Sequence, residues 1–302
     1  MSEPTAPSFF LRHEFAIRRL HSLTGIVPLG VYMVVHLVTN ASLLNGVPTF
    51  QRAVYQIHSF GVVLPLIEWT FIFLPLLFHG LIGVWIVRTA KINSNHYQYA
   101  ANKRYTWQRW TGMIALVFLL VHVFHMHGWF HTKIWLDYVA TPFGGHRFRA
   151  YSAASTLAEA MDGFLWPTFY FIGVMACVFH LANGLWTAGI TWGLWLTPEA
   201  QRRALKVCSV FGVLLALVGA GAWWAAISTD AAKAVELEDQ MFDEAVKGLL
   251  VPDDPAKRRA PPLVAPESAE PSAGLQAASE PDAALPPAAA IPPAGALPVA
   301  AE

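Results

Sequence analysis

Five long apolar runs, separated by polar segments, dominate the chain. The runs cover residues 22–43, 62–87, 110–129, 165–189 and 206–228. Each is longer than the 18 or so residues that mark a candidate for crossing a bilayer, whose hydrocarbon core is about 30 Å thick. A segment that crosses lipid must satisfy its own backbone hydrogen bonds. The pattern therefore predicts an all-α integral membrane protein, built as a bundle of five transmembrane helices.

The composition supports this fold class. Hydrophobic residues make up 55% of the 302 residues and charged residues only 13%, whereas a soluble domain carries about 25% charged residues. The first apolar run lacks the small-residue cleavage site of a signal peptide, so we expect it to remain in the mature protein. Cys177 and Cys208 lie inside apolar runs, and we interpret them as buried, inert thiols.

The polar segments divide the chain into three parts. We predict an N-terminal cytoplasmic segment over residues 1–20, a membrane domain over 21–228 and an acidic Ala/Pro-rich tail over 229–302. Alternating charged and apolar residues would allow one amphipathic helix over 231–250. The composition of the tail nevertheless favours disorder on the outer side, and its sequence indicates no chemistry.

Basic residues predict the orientation of the bundle. Over the N-terminus and the loops, eleven Lys and Arg fall on one side of the membrane and four on the other. Positive residues are concentrated in cytoplasmic loops. We therefore expect the N-terminus inside and, after five crossings, the C-terminus outside.

Four of the apolar runs contain a histidine, which is rare in transmembrane segments and usually faces the bundle interior. At about 1.5 Å per residue, His36 and His122 lie roughly 20 Å from the cytoplasmic surface, and His79 and His180 roughly 12 Å from it. One membrane histidine is often only a packing residue, but four at matched depths are hard to explain in this way. Two pairs suit two b haems, each held by two imidazoles from facing helices. Structural zinc would need four ligands.

An internal repeat accompanies these histidines. The second run contains FHGLIGVW and the fourth contains FHLANGLW, so a glycine follows each histidine by four residues, at Gly83 and Gly184. Residues four apart share a helix face, and we expect each glycine to leave room for a flat macrocycle. A Thr-Gly pair ending at Gly25 and another ending at Gly112 repeat more weakly, as in a doubled helical hairpin.

These segments resemble the cytochrome b membrane subunit of succinate dehydrogenases and fumarate reductases, of the five-helix, dihaem type. The resemblance covers about residues 15–228 and includes RRLHSLTGIVPLGVYMVVHLVTN, QRWTGMIALVFLLVHVF and FHLANGLWTAGITWGLWLTPEAQRR. It implies two haem b groups. His79 and His180 would hold the haem nearer the cytoplasm, and His36 and His122 would hold the outer one.

The resemblance also implies partners. A flavoprotein with FAD and an iron–sulfur subunit would bind at the cytoplasmic face of a bacterial cytoplasmic membrane. Electrons would pass through the haems to or from a quinone, typically menaquinone. Assembly of the whole complex into a homo-oligomer is compatible with this interpretation, and no nucleic-acid partner is expected. The chain has no flavin or iron–sulfur motif, so succinate chemistry would belong to the partners.

Two further residues are candidates for roles beside the haems. His21 matches a family histidine that is not a haem ligand; it would contact haem propionates or the iron–sulfur subunit, or serve as an ordinary interfacial anchor. Glu68 lies eleven residues before His79, on the same helical face. It would hydrogen-bond a quinone or accept a proton from the quinol, or be a simple buried carboxyl group. Val178 occupies a position where some relatives carry a glutamate of a proton path.

Three histidines, His125, His127 and His131, follow His122 closely. We interpret them as solvated residues at the membrane interface; a proton relay and an adventitious metal site are the alternatives. For the whole chain, two other functions remain open. One is a dihaem cytochrome b subunit of a formate dehydrogenase or hydrogenase, and the other is a haem-free membrane scaffold or transporter.

Overall fold

The computed structural model describes residues 9–90 and 99–259. Within these ranges the chain is helical and contains no β-strand. Five helical segments are long and apolar enough to cross a membrane, as predicted; they are Arg12–Asn45, Gly61–Thr89, Ala100–His127, Leu165–Thr191 and Pro198–Ser228. We refer to them as the first to the fifth span.

The spans are built from the following α-helices, some of them joined by 3₁₀ or π turns. The first span holds α1 (Phe9–Ile26) and α2 (Leu29–Ala41), and α3 (Val47–His58) follows it. The second span holds α4 (Leu64–Glu68), a π turn (Trp69–Phe73) and α5 (Leu74–Thr89). The third span holds α6 (Ala100–His122) and a π turn (Val123–His127). Two short helices, α7 (Lys133–Trp135) and α8 (Ala153–Ala160), follow the third span. The fourth span is α9 (Leu165–Thr191) and the fifth is α10 (Pro198–Ser228). The last α-helix of the described residues is α11 (Ala231–Lys247).

Several helices extend beyond the apolar runs. The third span begins at Ala100 and the fifth at Pro198, whereas their apolar runs begin at 110 and 206. The extra turns are polar, so hydropathy alone does not detect them. The start of α10 is fixed by Pro198 at its first position and by the Thr197 hydroxyl, which accepts a hydrogen bond from the amide of Ala200 at 3.2 Å.

Packing of the spans leaves a central space. Helix α9 packs against α6, α10 and α1, while α1 packs against α5 and α2 packs against α10. The outward faces carry large exposed apolar side chains such as Val31, Leu81 and Leu217, which are 57, 69 and 65% exposed. Such faces suit contact with lipid tails, which are as apolar as leucine.

The end of the bundle opposite α1 is closed by α3, α8 and α11, and we call it the capped end. These three helices contact one another and bury Phe50, Tyr55, Tyr151 and Phe242 between them. The side chain of Gln51, fully buried, donates to the backbone oxygen of Ala150 at 2.8 Å and accepts from the amide of Ala153 at 2.9 Å. The loop between the third and fourth spans is therefore a packed layer.

The segment after the fifth span begins with a helix, which agrees with the amphipathic helix that the sequence allows over 231–250 and differs from a tail disordered throughout. Residues 231–247 form α11, whose first turn is capped by the Asp230 carboxylate, and a short 3₁₀ helix follows at Pro255–Lys257. The carboxylate of Glu238, 1% exposed, accepts from the amides of Ala154 and Ser155 and from the Ser155 hydroxyl. These contacts join α11 to the start of α8. The remaining tail, residues 260–302, lies outside the described residues.

The opposite end of the bundle, which we call the basic end, is formed by the start of α1, the end of α5, the start of α6 and the α9–α10 turn. It carries Arg18, Arg19, Arg88, Arg104, Arg109 and Arg202. The guanidinium groups pack on aromatic rings: Arg104 lies 4.6 Å from the ring centroid of Trp186 and Arg109 lies 4.1 Å from that of Tyr105. Lys91, counted with this end in the sequence, lies outside the described residues.

Candidate functional site

A cavity of about 910 Å³ runs along the centre of the bundle. Its wall includes the four histidines of the two predicted pairs: His36, His79, His122 and His180. Arg18 and Arg109 line it toward the basic end, and His58 and Arg149 line it toward the capped end. The volume lies at the upper end of the range of about 300–1,000 Å³ typical of small-molecule sites.

The structure brings His36 and His122 together. The centroids of their imidazole rings are 5.9 Å apart, and the ring planes meet at 74°. His36 lies on α2 and His122 is the last residue of α6, so the pair joins the first span to the third. This pair lies on the side of the cavity nearer the capped end.

The structure also brings His79 and His180 together. Their ring centroids are 6.1 Å apart and the planes meet at 89°. His79 lies on α5 and His180 on α9, so this pair joins the second span to the fourth. Both pairings are the ones that the depth estimate from the sequence predicts.

One nitrogen of each ring in the second pair is fixed by a backbone oxygen. Nδ1 of His79 lies 2.9 Å from the backbone oxygen of His21, and Nδ1 of His180 lies 3.1 Å from that of Gln108. A carbonyl oxygen can only accept, so in each neutral imidazole Nδ1 carries the proton and Nε2 keeps its lone pair. A hydrogen bond from the other ring nitrogen to a backbone oxygen is the usual way in which a protein orients a histidine that binds a metal.

Gln108 is a residue that the sequence analysis missed. Its side-chain amide nitrogen donates to the backbone oxygen of His180 at 3.0 Å and lies 3.2 Å from His180 Nδ1. Its amide oxygen accepts from Asn183 at 2.8 Å, which explains the amide in the apolar fourth run. The sequence does contain a pattern that could have indicated the role of Gln108. Gln108 precedes Gly112 by four residues, as His21 precedes Gly25.

The glycines of the two Thr-Gly pairs lie directly against the imidazole rings of the second pair. A Cβ on Gly25 would lie 2.9 Å from Nδ1 of His79, and one on Gly112 would lie 2.7 Å from Cε1 of His180. Gly83 and Gly184, which we expected to make room for a macrocycle, also line the cavity. A Cβ there would lie 3.4 Å from His21 and 3.4 Å from Gln108, respectively.

Polar groups also surround the first pair. Nδ1 of His122 lies 3.3 Å from the hydroxyl of Tyr170, and the same hydroxyl lies 2.9 Å from Nδ1 of His125. The side-chain amide of Asn40 donates to the backbone oxygen of His36 at 2.8 Å and lies 3.4 Å from His36 Nε2. Tyr170, in the fourth apolar run, was not a predicted site residue.

His125 is not a solvated interfacial residue, so that prediction is wrong. Its side chain is only 1% exposed and stacks on Trp166, with the ring centroids 3.7 Å apart. It is held inside because both the indole and the Tyr170 hydroxyl offer it partners. His131 is exposed, as predicted for a solvated residue, and His127 is partly buried.

His127, His131 and His146 form a chain of rings at the capped end. The centroids of His127 and His131 are 4.2 Å apart, and those of His131 and His146 are 5.3 Å apart.

Burial lowers the pKa of His146 to about 4, with Arg149 adding to the shift. Burial also lowers the pKa of His131. Across residues 9–90 and 99–259, no three His, Cys, Asp or Glu side chains are grouped so as to hold a metal ion.

His21 lies deeper than an interfacial anchor would. Its ring stacks on that of His79, with the centroids 4.0 Å apart, and it lines the cavity. Its Nδ1 atom is buried and has no hydrogen-bond partner among the described residues. The same is true of Nε of Arg109, which also lines the cavity. These two donors point to an acceptor group held within the cavity.

Glu68 ends α4 and lines the cavity together with His79. The prediction that both residues share one face assumed a regular α-helix. The π turn Trp69–Phe73 lies between them, and its i to i+5 hydrogen bonds change the rotation of the helix. Both residues nevertheless line the cavity.

A helical membrane bundle with imidazoles paired across a central cavity defines the chain as a membrane protein of the cytochrome b class. It belongs to the family of succinate dehydrogenase cytochrome b subunits. It is 36% identical over 206 residues to the succinate dehydrogenase cytochrome b558 subunit of Bacillus subtilis (strain 168), an alignment that covers 68% of this chain and 94% of the relative. No family model matches the chain. The relationship favours succinate dehydrogenase over the formate dehydrogenase and hydrogenase alternatives.

Proposed function

We propose that this chain is the dihaem membrane anchor of a succinate:quinone oxidoreductase. His36 and His122 would hold one haem b, and His79 and His180 would hold the other. When bound, the haems would supply one-electron carriers between an iron–sulfur subunit and a membrane quinone. The observation that carries the proposal is the spacing of the two imidazole pairs.

The spacing fits a single metal ion between the rings of each pair. A bond between a metal ion and an imidazole nitrogen is about 2 Å long, so two rings on opposite sides of one ion have centroids roughly 6 Å apart. The observed separations are 5.9 Å for His36 and His122 and 6.1 Å for His79 and His180. A haem iron needs only two protein ligands, so a group of three metal-binding side chains is not required.

The residues around the rings fit the same role. Proton donation from Nδ1 of His79 and His180 to backbone oxygens leaves Nε2 of each ring as the coordinating atom. Two imidazoles would hold each haem iron, which suits electron transfer rather than the binding of a further ligand. The unpartnered donors on His21 and Arg109 would bind the carboxylates of the haem nearer the basic end.

We propose that the quinone binds in the part of the cavity lined by Glu68. The protonated Glu68 carboxyl group would donate a hydrogen bond to the quinone head, and the ionised carboxylate would accept a proton from the quinol. The remaining wall there is largely apolar, with residues such as Leu64 and Ile72. Such a lining suits a hydrophobic ring that is oriented by a few polar groups.

The basic end would face the cytoplasm of a bacterial cell and bind the flavoprotein and iron–sulfur subunits. Arg18, Arg104 and Arg202 lie at this end, and basic residues are enriched on the cytoplasmic side of membrane proteins. The capped end, with the C-terminal residues, would lie on the outer side. In this orientation the His79 and His180 pair is nearer the iron–sulfur subunit and the His36 and His122 pair is nearer the quinone.

Purification of the intact complex tests the proposal. We expect two protohaem groups per copy of this chain, a low-spin b-type reduced-minus-oxidised spectrum with two redox components, and succinate:quinone activity that depends on this subunit. One haem, or none, would overturn the assignment of the two histidine pairs. Formate or hydrogen oxidation by the purified complex would replace the succinate assignment.

A further inference from the structure

The residues that follow the fifth span return to the central cavity. Lys257, the last residue of the 3₁₀ helix Pro255–Lys257, lines the cavity together with Ala256. Glu68 and His58 line the same cavity. A segment that the sequence predicts to be a tail without chemistry thus contributes a cationic side chain to the wall of the proposed quinone site.

Contacts made by the next two residues, Arg258 and Arg259, hold Lys257 in this position. The Arg258 guanidinium donates to the Asp239 carboxylate at 2.6 Å and lies 4.3 Å from the ring centroid of Phe242, so it is fixed to α11. The amide of Arg259 donates to the Ser152 hydroxyl at 3.2 Å, which fixes the next residue to the loop before α8. The two residues after Lys257 are therefore attached to α11 and to the loop before α8.

The ammonium group of Lys257 retains hydrogen-bonding capacity. It lies 3.9 Å from the Asp254 carboxylate, beyond a normal hydrogen bond, and 5.5 Å from the ring centroid of Tyr151. Its side chain is 34% exposed. An ammonium carries three donors and no acceptor. Neither contact uses these donors fully, so they remain free to bind an acceptor in the cavity.

The charges around Lys257 favour a neutral acceptor. Lys257 is close enough to interact electrostatically with Glu68 and with His58. Burial lowers the pKa of His58 to about 4, and Lys257 adds to this shift, so His58 is neutral at physiological pH. A haem carboxylate placed beside Glu68 would bring two negative charges together, which is unfavourable. A quinone carbonyl oxygen accepts a hydrogen bond without adding charge.

We propose that Lys257 is a binding residue of the quinone site and donates a hydrogen bond to a carbonyl oxygen of the quinone head. The inference rests on the proposed function and extends it, because it makes the segment after the fifth span part of the site. Arg149 provides a second cation in the cavity wall, and its Nη1 atom is buried without a hydrogen-bond partner among the described residues. The capped end thereby adds two cationic donors to the cavity that Glu68 also lines.

The test compares three variants in the purified complex: Lys257→Gln, Lys257→Arg and the control Lys233→Gln. Lys233 lies on the same segment, is 83% exposed and pairs with Asp230. The measurements are the KM and kcat for a soluble naphthoquinone, 2,3-dimethyl-1,4-naphthoquinone, and quinone-independent succinate:phenazine methosulfate activity. Haem content and the midpoint potentials of the haems are measured on the same preparations.

We expect Lys257→Gln to raise the KM for the naphthoquinone about tenfold, since a hydrogen bond from a charged donor is lost. Lys257→Arg, which keeps a charged donor, should recover most of that loss, and Lys233→Gln should match the wild type. Phenazine-linked activity and haem content should be unchanged in all three, which would show that the complex is intact.

Three results would overturn the inference. The first is a KM for Lys257→Gln within about twofold of the wild type. The second is an unchanged KM with a shifted midpoint potential of one haem, which would place Lys257 on a haem carboxylate. The third is loss of a haem from Lys257→Gln. Failure of the proposed function is distinct, because the wild-type complex itself would then lack two haems or succinate:quinone activity.

Discussion

Nδ1 of His180 lies 3.1 Å from the backbone oxygen of Gln108, across the interface between α9 and α6. His79 has the same relationship, at 2.9 Å, to the backbone oxygen of His21 on α1. In both cases the accepting residue precedes a glycine by four positions, and that glycine faces the imidazole ring. The weak Thr-Gly repeat of the sequence therefore has a specific cause: it lets a helix approach the histidine of its neighbour.

This relationship predicts the effect of a methyl group at Gly112. A Cβ there would lie 2.7 Å from Cε1 of His180, a separation that real structures avoid, so Gly112→Ala should displace the ring. We expect the complex to lose one of its two haems, about half of the total, because orienting contacts control metal affinity. The measurement is haem content of the purified complex by pyridine haemochrome.

Gly221→Ala serves as the matched control for this substitution. Gly221 is also a glycine inside a span, and a Cβ there would lie 3.0 Å from the end of the flexible Leu44 side chain. It does not line the cavity. Retention of both haems in Gly112→Ala would show that His180 does not need this orientation.

Replacement of the four histidines should divide them into two groups. His36→Ala and His122→Ala should each remove one haem and leave the same residual difference spectrum. His79→Ala and His180→Ala should each leave the other spectrum. The reason is that both imidazoles of a pair hold the same iron. Exposed His131 is the control, and His131→Ala should keep both haems.

Different residual spectra from His36→Ala and His122→Ala would contradict the pairing. The same would follow if His125→Ala removed a haem while His122→Ala kept both. His125 touches the Tyr170 hydroxyl rather than the paired rings, so we expect His125→Ala to shift a haem potential at most.

The five spans and the two histidine pairs follow from simple regularities in the sequence. Apolar runs longer than a bilayer is thick leave few alternatives to a helix. Depth in a straight helix is proportional to residue number, so His36 and His122 could be matched across two spans. These inferences work because they depend on one helix at a time.

The residues that support the histidines could not be predicted in this way. Tyr170 and Gln108 act through contacts between helices, and their partners are 48 and 72 residues away in the chain. The burial of His125 depends on Trp166, which belongs to another span. Lys257 reaches the cavity only because α11 packs on α8 through Glu238. Local composition, which is acidic and rich in alanine and proline, does not contain this information.

Glu238 offers a test of how the segment after the fifth span is held. Its carboxylate accepts from two backbone amides and one hydroxyl and is almost fully buried. Glu238→Ala would leave these donors unsatisfied, at a cost of about 1–3 kcal/mol for each buried group. We expect α11 to detach, which faster protease cleavage between residues 229 and 259 would show.

Glu238→Gln is the informative comparison. The glutamine oxygen can accept from both amides, and its amide nitrogen can donate to the Ser155 oxygen, so α11 should stay bound.

Burial raises the pKa of Glu238, and these hydrogen bonds partly offset the increase. The folded state therefore binds the proton more tightly than the unfolded state, and this group's contribution to stability falls as the pH rises through the raised pKa. Glu238→Gln should abolish that decrease, and an unchanged pH dependence would argue against a buried carboxyl group.

His58 predicts the opposite pH dependence for the capped end. Burial lowers its pKa from 6.5 to about 4, with Lys257 as the second cause. The unfolded segment therefore binds a proton that the folded one excludes. Stability from this group is complete above about pH 6.5 and is lost progressively as the pH falls toward 4. The free energy of opening of the α3 amides, Val47–His58, obtained from hydrogen exchange after correction for the intrinsic exchange rate at each pH, should fall over that interval. His58→Gln should make this decrease shallower by up to one proton, or about 1.4 kcal/mol per pH unit. An equally steep acid response in His58→Gln would assign the effect to other groups of the capped end, such as His146, whose pKa is also lowered.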